Sequence, residues 1–204
     1  MESIYGEVAG NLDGVRAWLE ERLRAYNAQV KEESGEGIYE HILARVKSEE
    51  SMREKLSRRE LEATPENALT VITDSIGIRI ITRFVDDIYT LVEYIRSMED
   101  CRVVREKDYI RHAKPNGYRS YHMILELTVP YEDIRGDNPG HYYAEIQLRT
   151  IAMDSWASLE HQLKYKQEIA HAGIIVEELK RCADELASCD LSMQTIRNLI
   201  RESK

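Results

Sequence analysis

The sequence predicts an α+β fold: a β-sheet with helices packed on it and more helices at both ends. Three observations lead there. Runs such as "TVITDSIGIRIITRF" and "SYHMILELTVP" are rich in β-branched and aromatic residues and alternate with a period of two, as strands do. Between them "VDDIYTLVEYIRSM" repeats its apolar residues every three or four positions, as a helix does. Both ends of the chain carry the same helical period, and strand, helix, strand is the order that builds a sheet covered by helices.

Composition narrows the function classes. The 204 residues suffice for one core, with the chemistry expected in residues 36–167. Flanking it are an N-terminal helical segment (1–35) and C-terminal helices (168–204) suited to oligomerisation. A formal charge of −9 argues against general nucleic-acid binding, which needs a cationic surface. No apolar run approaches the roughly 18 residues of a membrane span. The opening "MESIYGEVAGNLDG" has acids and glycines where a secretory leader needs basic and then apolar residues, so a cytoplasmic location is expected. Cys101, Cys182 and Cys189 are odd in number and lack metal-ligand spacing, which predicts reduced thiols. Cations nevertheless cluster from Arg45 to Arg59 and from Arg102 to Arg119, pointing to a local anion site in an acidic protein.

Element by element, Val15, Leu19, Leu23, Tyr26 and Val30 mark a first helix, with Asn11 or Asp13 as its cap. A second short helix is expected through Ile38 and Ile42. Arg45 and Lys47, two apart, share one face of a strand. Ser48 then caps a helix with Met52 and Leu56 inward, and Lys55 and Arg58 on another face. These four cations either converge on a polyphosphate or form a solvated face laced with ion pairs. In the next strand Ile76, Ile78 and Ile80 oppose Gly77, Arg79 and Ile81, and Asp74 stands at its start. The following helix takes Asp86 or Asp87 as cap and buries Ile88, Leu91, Val92 and Ile95; "RVVREKDYI" is a further strand.

The stretch "KPNGYRSYH" is a polar, Gly-centred turn leading into a strand that buries Tyr121, Met123, Leu125 and Leu127 and leaves His122 on the more polar face. After the turn "IRGDNPG", "HYYAEIQLRT" places Ala144, Ile146 and Leu148 opposite Tyr143, Glu145, Gln147 and Arg149. A mid-strand carboxylate needs a wet face or a partner, so Glu145 is either a functional group or part of a surface strand face. Thr150 caps the next helix, whose inner stripe is Ala152, Trp156, Leu159 and Leu163; Trp156 reads as core. His161 and His171 read as capping or surface residues, and no histidine spacing suggests zinc. Two more amphipathic helices are expected, through Ile175, Leu179, Cys182 and Leu186, and then Leu191, Ile196 and Leu199.

"RVKS", "DSIGIRI", "KPNGYRSYH" and "AEIQLRTIAMDSWASLEHQLKYK", in this order, resemble the synthetase domain of the RelA/SpoT homologues, in particular the stand-alone small alarmone synthetases of the RelQ kind. The likeness spans roughly residues 38–166. It implies a mixed sheet with flanking helices, similar to nucleotidyltransferases, and a pyrophosphokinase that moves the β,γ-pyrophosphate of ATP to the 3′-hydroxyl of GDP or GTP, making ppGpp or pppGpp. On the matching positions Arg45 and Arg79 would sandwich adenine, and Lys47, Lys55 and Arg58 would hold the ATP phosphates. Asp74 and Glu145 would bind Mg2+, with Glu145 also taking the hydroxyl proton. Tyr118 would stack on guanine, Lys114 and His122 would contact the acceptor phosphates, and Asp154, where some relatives carry Asn, would meet the guanine edge. The resemblance also implies a homotetramer and an alarmone product as activator. Competing readings are a toxin-like relative acting on tRNA 3′ ends, an adenosine alarmone synthetase, and a non-catalytic nucleotide sensor.

Overall fold

In the computed structural model, which describes residues 3–165 and 172–203, a single five-stranded mixed sheet organises the chain. In chain order the elements are α1 (Leu12–Ser34), β1 (His41–Val46), α2 (Glu49–Arg58), β2 (Ile76–Thr82), α3 (Val85–Ser97), β3 (Cys101–Asp108), β4 (Tyr121–Val129), β5 (Gly140–Thr150), α4 (Ile151–Tyr165) and α5 (Ala172–Glu202). Spatial order is β1-β2-β5-β4-β3; only β2 and β5 run parallel, and the other pairs are antiparallel.

One face of the sheet is dry. Ile76, Ile78 and Ile80 of β2, Met123, Leu125 and Leu127 of β4, and Ala144, Ile146 and Leu148 of β5 are buried there, in one cluster with Leu12, Val15, Leu19 and Leu23 of α1 and Ile88, Leu91, Val92 and Ile95 of α3. Each strand therefore shows the predicted alternation, and the intervening residues are left to line the opposite face. Among the described residues no helix is long and apolar enough to cross a membrane.

Several expected details are corrected. No helix runs through Ile38 and Ile42: from Gly35 to Glu40 the chain bends irregularly, and Ile42 belongs to β1, where a β-branched side chain suits the pleat. Asn11 does hold the N-cap position of α1, but a 3-10 turn, Gly6–Asn11, feeds directly into the helix and its side chain makes no capping bond; the Asn11 amide instead donates to the Glu132 carbonyl, and Asp13 falls in the first turn. Phe84 holds the cap position of α3, so Asp86 and Asp87 fall in its first turn, where acids favour the helix dipole, and Asp87 pairs with Arg197 at 2.6 Å. Ser48 does cap α2, accepting from the Ser51 amide, and the Thr150 hydroxyl accepts from the Met153 amide at the start of α4.

In α4, Met153 and Trp156 are buried, with the indole donating to the Leu179 carbonyl, whereas Leu159 and Leu163 are exposed. The tail is one helix rather than two. No glycine or proline interrupts α5 after Gly173, and its two apolar stripes lie on different faces of one cylinder. The inward face becomes polar toward its end: Ala183, Asp190 and Gln194 are buried, and Asp190 accepts from the Thr150 hydroxyl at 2.6 Å. Cys101, Cys182 and Cys189 are free thiols. His161 is exposed, and His171 lies outside the described residues.

Candidate active site

The wet face of the sheet carries two adjacent rungs of side chains that cross all five strands. Strand register gives the first as Arg45, Gly77, Glu145, Ile124 and Arg105, and the second as Leu43, Arg79, Gln147, His122 and Lys107. A cleft of about 390 Å³ opens over the β1–β2–β5 part, lined by Arg45, Lys47, Asp74, Gly77, Arg79 and Glu145 among others. A smaller cavity of about 180 Å³ continues toward β3, between Arg105, Lys107, Lys114, His122 and the far side of Glu145. Glu145 thus faces two neighbouring cavities, which suits a group acting between two substrates.

Asp74 projects past the start of β2. Its Oδ2 accepts from Lys55, which reaches over from α2, and pairs with Lys47 at 3.1 Å. Burial alone would push this carboxyl up, yet the Lys55 hydrogen bond and the Lys47 charge hold it below the ordinary carboxylate range. Its Oδ1 is buried without a hydrogen-bond partner. Glu145 accepts from His122 Nδ1 at 3.2 Å and from the Gln147 amide at 2.9 Å. Burial would raise it as well; the His122 bond, the charge that ring carries when protonated, and the Gln147 bond outweigh burial.

Two ionised carboxylates, one with a buried unpaired oxygen, fit a hard cation such as Mg2+, which takes one or two protein carboxylates and completes its shell with phosphate and water. Among the described residues no group of three or more His, Cys, Asp or Glu could form an all-protein cage.

Arg45 and Arg79 lie diagonally across the β1–β2 pair in the wall of the cleft. Arg58 stands exposed in the last turn of α2 and is not part of that lining. Turn 114–117 is closed by the Gly117 amide on the Lys114 carbonyl. Gly117 has φ +91°, and a Cβ there would come within 2.6 Å of Ala183 on α5, so glycine is required twice over. The Lys114 ammonium sits 4.7 Å from the Tyr109 ring and 4.6 Å from Tyr118, beside the second cavity. Tyr118 Oη is 2.8 Å from His122 Nε2. Asp154 Oδ1 receives Arg149 at 2.8 Å and Arg79 at 3.5 Å; Asp154 lines neither cavity, bordering instead a groove with Arg24, Tyr39 and Ile81. Lys47, Lys55, Asp74, Arg79, Glu145, His122 and Tyr118 are therefore gathered around one wet face.

Sequence reasoning passes over Arg149, Gln147, Arg105 and Lys107 as site residues. The alternation that singles out Glu145 also carries Gln147 and Arg149 to its face; what sequence lacks is the pairing of β5 with β4 and of β4 with β3, which only the register supplies.

The chain resembles known proteins in both sequence and fold. Residues 44–170 match the family described as the region found in RelA / SpoT proteins. GTP pyrophosphokinase YwaC of Bacillus subtilis is 42% identical over 163 residues, covering 80% of this chain and 76% of YwaC. Two solved structures superpose over nearly the whole chain. A GTP pyrophosphokinase family protein from Streptococcus pneumoniae has a TM-score of 0.82 at 34% identity, covering 97% of this chain and 94% of that one. Small alarmone synthetase 1 from Bacillus subtilis, bound to its product pppGpp, has a TM-score of 0.81 at 30% identity, covering 95% of each. Sequence match and shared architecture lead to one conclusion: the chain belongs to the family defined by the region found in RelA and SpoT proteins.

Proposed function

We propose that this protein is a GTP pyrophosphokinase, transferring the β,γ-pyrophosphate of ATP to the 3′-hydroxyl of GDP or GTP. The observation that carries the reading is the position of Glu145 between a cation-walled cleft shared with Asp74 and a second cationic cavity beside Tyr118. In the donor cleft, Arg45 and Arg79 offer planar guanidinium faces to adenine, while Lys47 and Lys55 hold the phosphates as charge shifts onto the leaving AMP. Arg58, exposed in the last turn of the helix that also carries Lys55, is assigned to the outer phosphates. Asp74 and Glu145 would hold Mg2+, which when bound supplies neutralisation of the phosphate oxygens.

On the acceptor side Tyr118 stacks on the base, Lys114 meets the phosphates in the cavity whose wall His122 forms, and Asp154 receives the guanine edge. Glu145 takes the 3′-proton. Because its surroundings hold it below the ordinary carboxylate range it is a weak base, so most of the acceleration must come from alignment and charge neutralisation. The product's role as an activator and a cytoplasmic location are part of the same proposal.

A homotetramer is proposed from α5. Met193, Ile196, Leu199 and Ile200 are exposed; Ile196 and Leu199 fall on the side of this helix opposite Ala183, Asp190 and Gln194, and Met193 and Ile200 flank them.

Incubation of the pure protein with labelled ATP and GDP, GTP, ADP or tRNA tests the reading. Labelled pyrophosphate on guanine nucleotides with release of AMP is the expected result. Transfer to tRNA or to ADP alone, or no transfer at all, would favour the toxin-like, adenosine-alarmone or sensor reading respectively.

A further inference from the structure

Arg149 has no assigned role, yet its guanidinium is the most connected cation of the site and is buried. One nitrogen, Nη2, donates to Tyr118 Oη at 2.9 Å and to Gln147 Oε1 at 3.2 Å, while Nη1 holds Asp154. The guanidinium also lies 5.3 Å from the Tyr118 ring centroid. A guanidinium can only donate, and this fixes the direction of its own three bonds, to Tyr118, Gln147 and Asp154. Tyr118 accepts from Arg149; because the Glu145 carboxylate can only accept, His122 donates to one of its oxygens from Nδ1, and Nε2 of the neutral ring accepts a hydrogen bond from the Tyr118 hydroxyl. By the other arm, Gln147 accepts from Arg149 and donates to the second oxygen of Glu145. Arg149, Tyr118, His122, Glu145 and Gln147 form a closed hydrogen-bonded ring that begins at one guanidinium nitrogen and ends on both oxygens of one carboxylate.

We propose that Arg149 is the positioning residue of the reaction: through this ring it fixes the orientation of the Glu145 carboxylate and ties it to the acceptor-stacking tyrosine. The inference rests on the acceptor-site reading of Tyr118. Each Glu145 oxygen receives one ring donor and keeps a lone pair for the cleft, so the ring orients the carboxylate without consuming it. Register alone would not achieve this, because a glutamate retains rotamer freedom on a fixed backbone. Lysine could replace the charge of Arg149 but not the fork that serves Tyr118, Gln147 and Asp154 together. The ring also gives the Tyr118 hydroxyl a purpose that stacking does not require.

The test separates the hydroxyl from the ring. Tyr118→Phe keeps the stacking surface and removes one hydrogen-bond link. We expect kcat with GDP to fall by about tenfold or more, the scale of a small misalignment, while the dissociation constant for GDP, measured by calorimetry without ATP, stays within about threefold. Arg149→Lys is expected to lower kcat similarly. The double variant should then be little slower than the slower single, because both changes cut the same ring. Multiplying costs in the double variant, or an unchanged kcat in Tyr118→Phe, would overturn the proposal; the second measurement does so even if Arg149→Lys fails to fold. Parent protein that bound no GDP would overturn the acceptor-site reading itself and this inference with it. GDP binding with multiplying costs would overturn the inference alone.

Discussion

Gly77 on β2 lies directly beside Glu145 on β5 in the parallel pairing, and a Cβ built on Gly77 would meet nothing within 4 Å. A glycine in mid-strand is destabilising by roughly 0.5–1 kcal/mol relative to alanine. No neighbour demands it here, and its φ is not in the left-handed region. The space it leaves belongs to the cleft, where the transferred phosphates must approach the carboxylates.

Gly77→Val should therefore separate stability from activity. A β-branched residue suits the strand, so the melting temperature is expected to hold or rise, while the side chain fills the cleft beside Glu145 and raises the KM for ATP by tenfold or more, about 1.4 kcal/mol. Unchanged ATP kinetics would place the phosphates elsewhere.

Asp74 and Glu145 should be indispensable for different reasons. Asp74→Asn leaves Lys47 and Lys55 facing a neutral amide in place of their shared carboxylate; Glu145→Gln disrupts both the reaction centre and the His122 bond. Turnover is expected to fall by about 100-fold or more in each, with far-ultraviolet circular dichroism preserved. Magnesium titration of the parent should show activity rising from a chelated baseline, and half-maximal activity should need more magnesium in Asp74→Asn. Parent activity that survives chelation would remove Mg2+ from the reading.

Assembly is tested on α5. Ile196→Glu with Ile200→Glu places charges on the outward face without touching Asp190 or Gln194, which anchor the helix inward. Light scattering is expected to give a tetramer for the parent and a smaller species for the variant, with secondary structure retained. A parent that is monomeric at micromolar concentration would end the tetramer proposal.

Legibility in the sequence tracks the physics of each element. The buried strand faces and the stripes of α1 and α3 can be read because alternation or helical period is imposed by one dry side. Leu159 and Leu163 show the limit: period identifies an apolar stripe but not whether this chain covers it. The cap of α3 escapes such reading because Asp favours a first turn as well as a cap position, and only the entering backbone decides. In the site, Glu145 stands out as a carboxylate in a strand. Arg149 does not, because its significance lies in contacts with residues 31 and 5 positions away, to Tyr118 and Asp154, that no local pattern encodes.

Asp190 provides a pH test remote from the cleft. Burial raises its carboxyl above the ordinary value, opposed by the Thr150 hydrogen bond and the Arg119 charge. A carboxyl whose folded value lies above its unfolded one binds more protons in the native state, so its contribution to stability is greatest below the unfolded value and declines as pH rises through the folded one. Asp190→Asn keeps an oxygen for the Thr150 hydroxyl and carries no charge. The difference in melting temperature, variant minus parent, is expected to be more positive at pH 7 than at pH 4. An equal difference at both would mean that Asp190 titrates alike in folded and unfolded chains.

Choice of base is the remaining question at the acceptor. Tyr118 offers a face on which any purine stacks, for roughly 1–3 kcal/mol by analogy with single-strand binders, so stacking cannot select guanine. Selection needs an acceptor facing the guanine N1 hydrogen and exocyclic amine, and a carboxylate can take both. Asp154 is tied through Arg149 to the hydroxyl of Tyr118, which brings its carboxylate near the stacking ring. Its Oδ1 also receives Arg79, so Asp154→Ala both withdraws a base-edge acceptor and leaves two arginines without their shared counter-charge. Tyr118→Ala is expected to weaken GDP, GTP and ADP alike. Asp154→Ala should raise KM for every acceptor and in addition lower the ratio of kcat/KM for GDP over ADP, by about tenfold for one lost charge-assisted hydrogen bond. Loss of activity with the ratio unchanged would assign Asp154 to holding the arginines alone and leave the guanine edge to backbone groups.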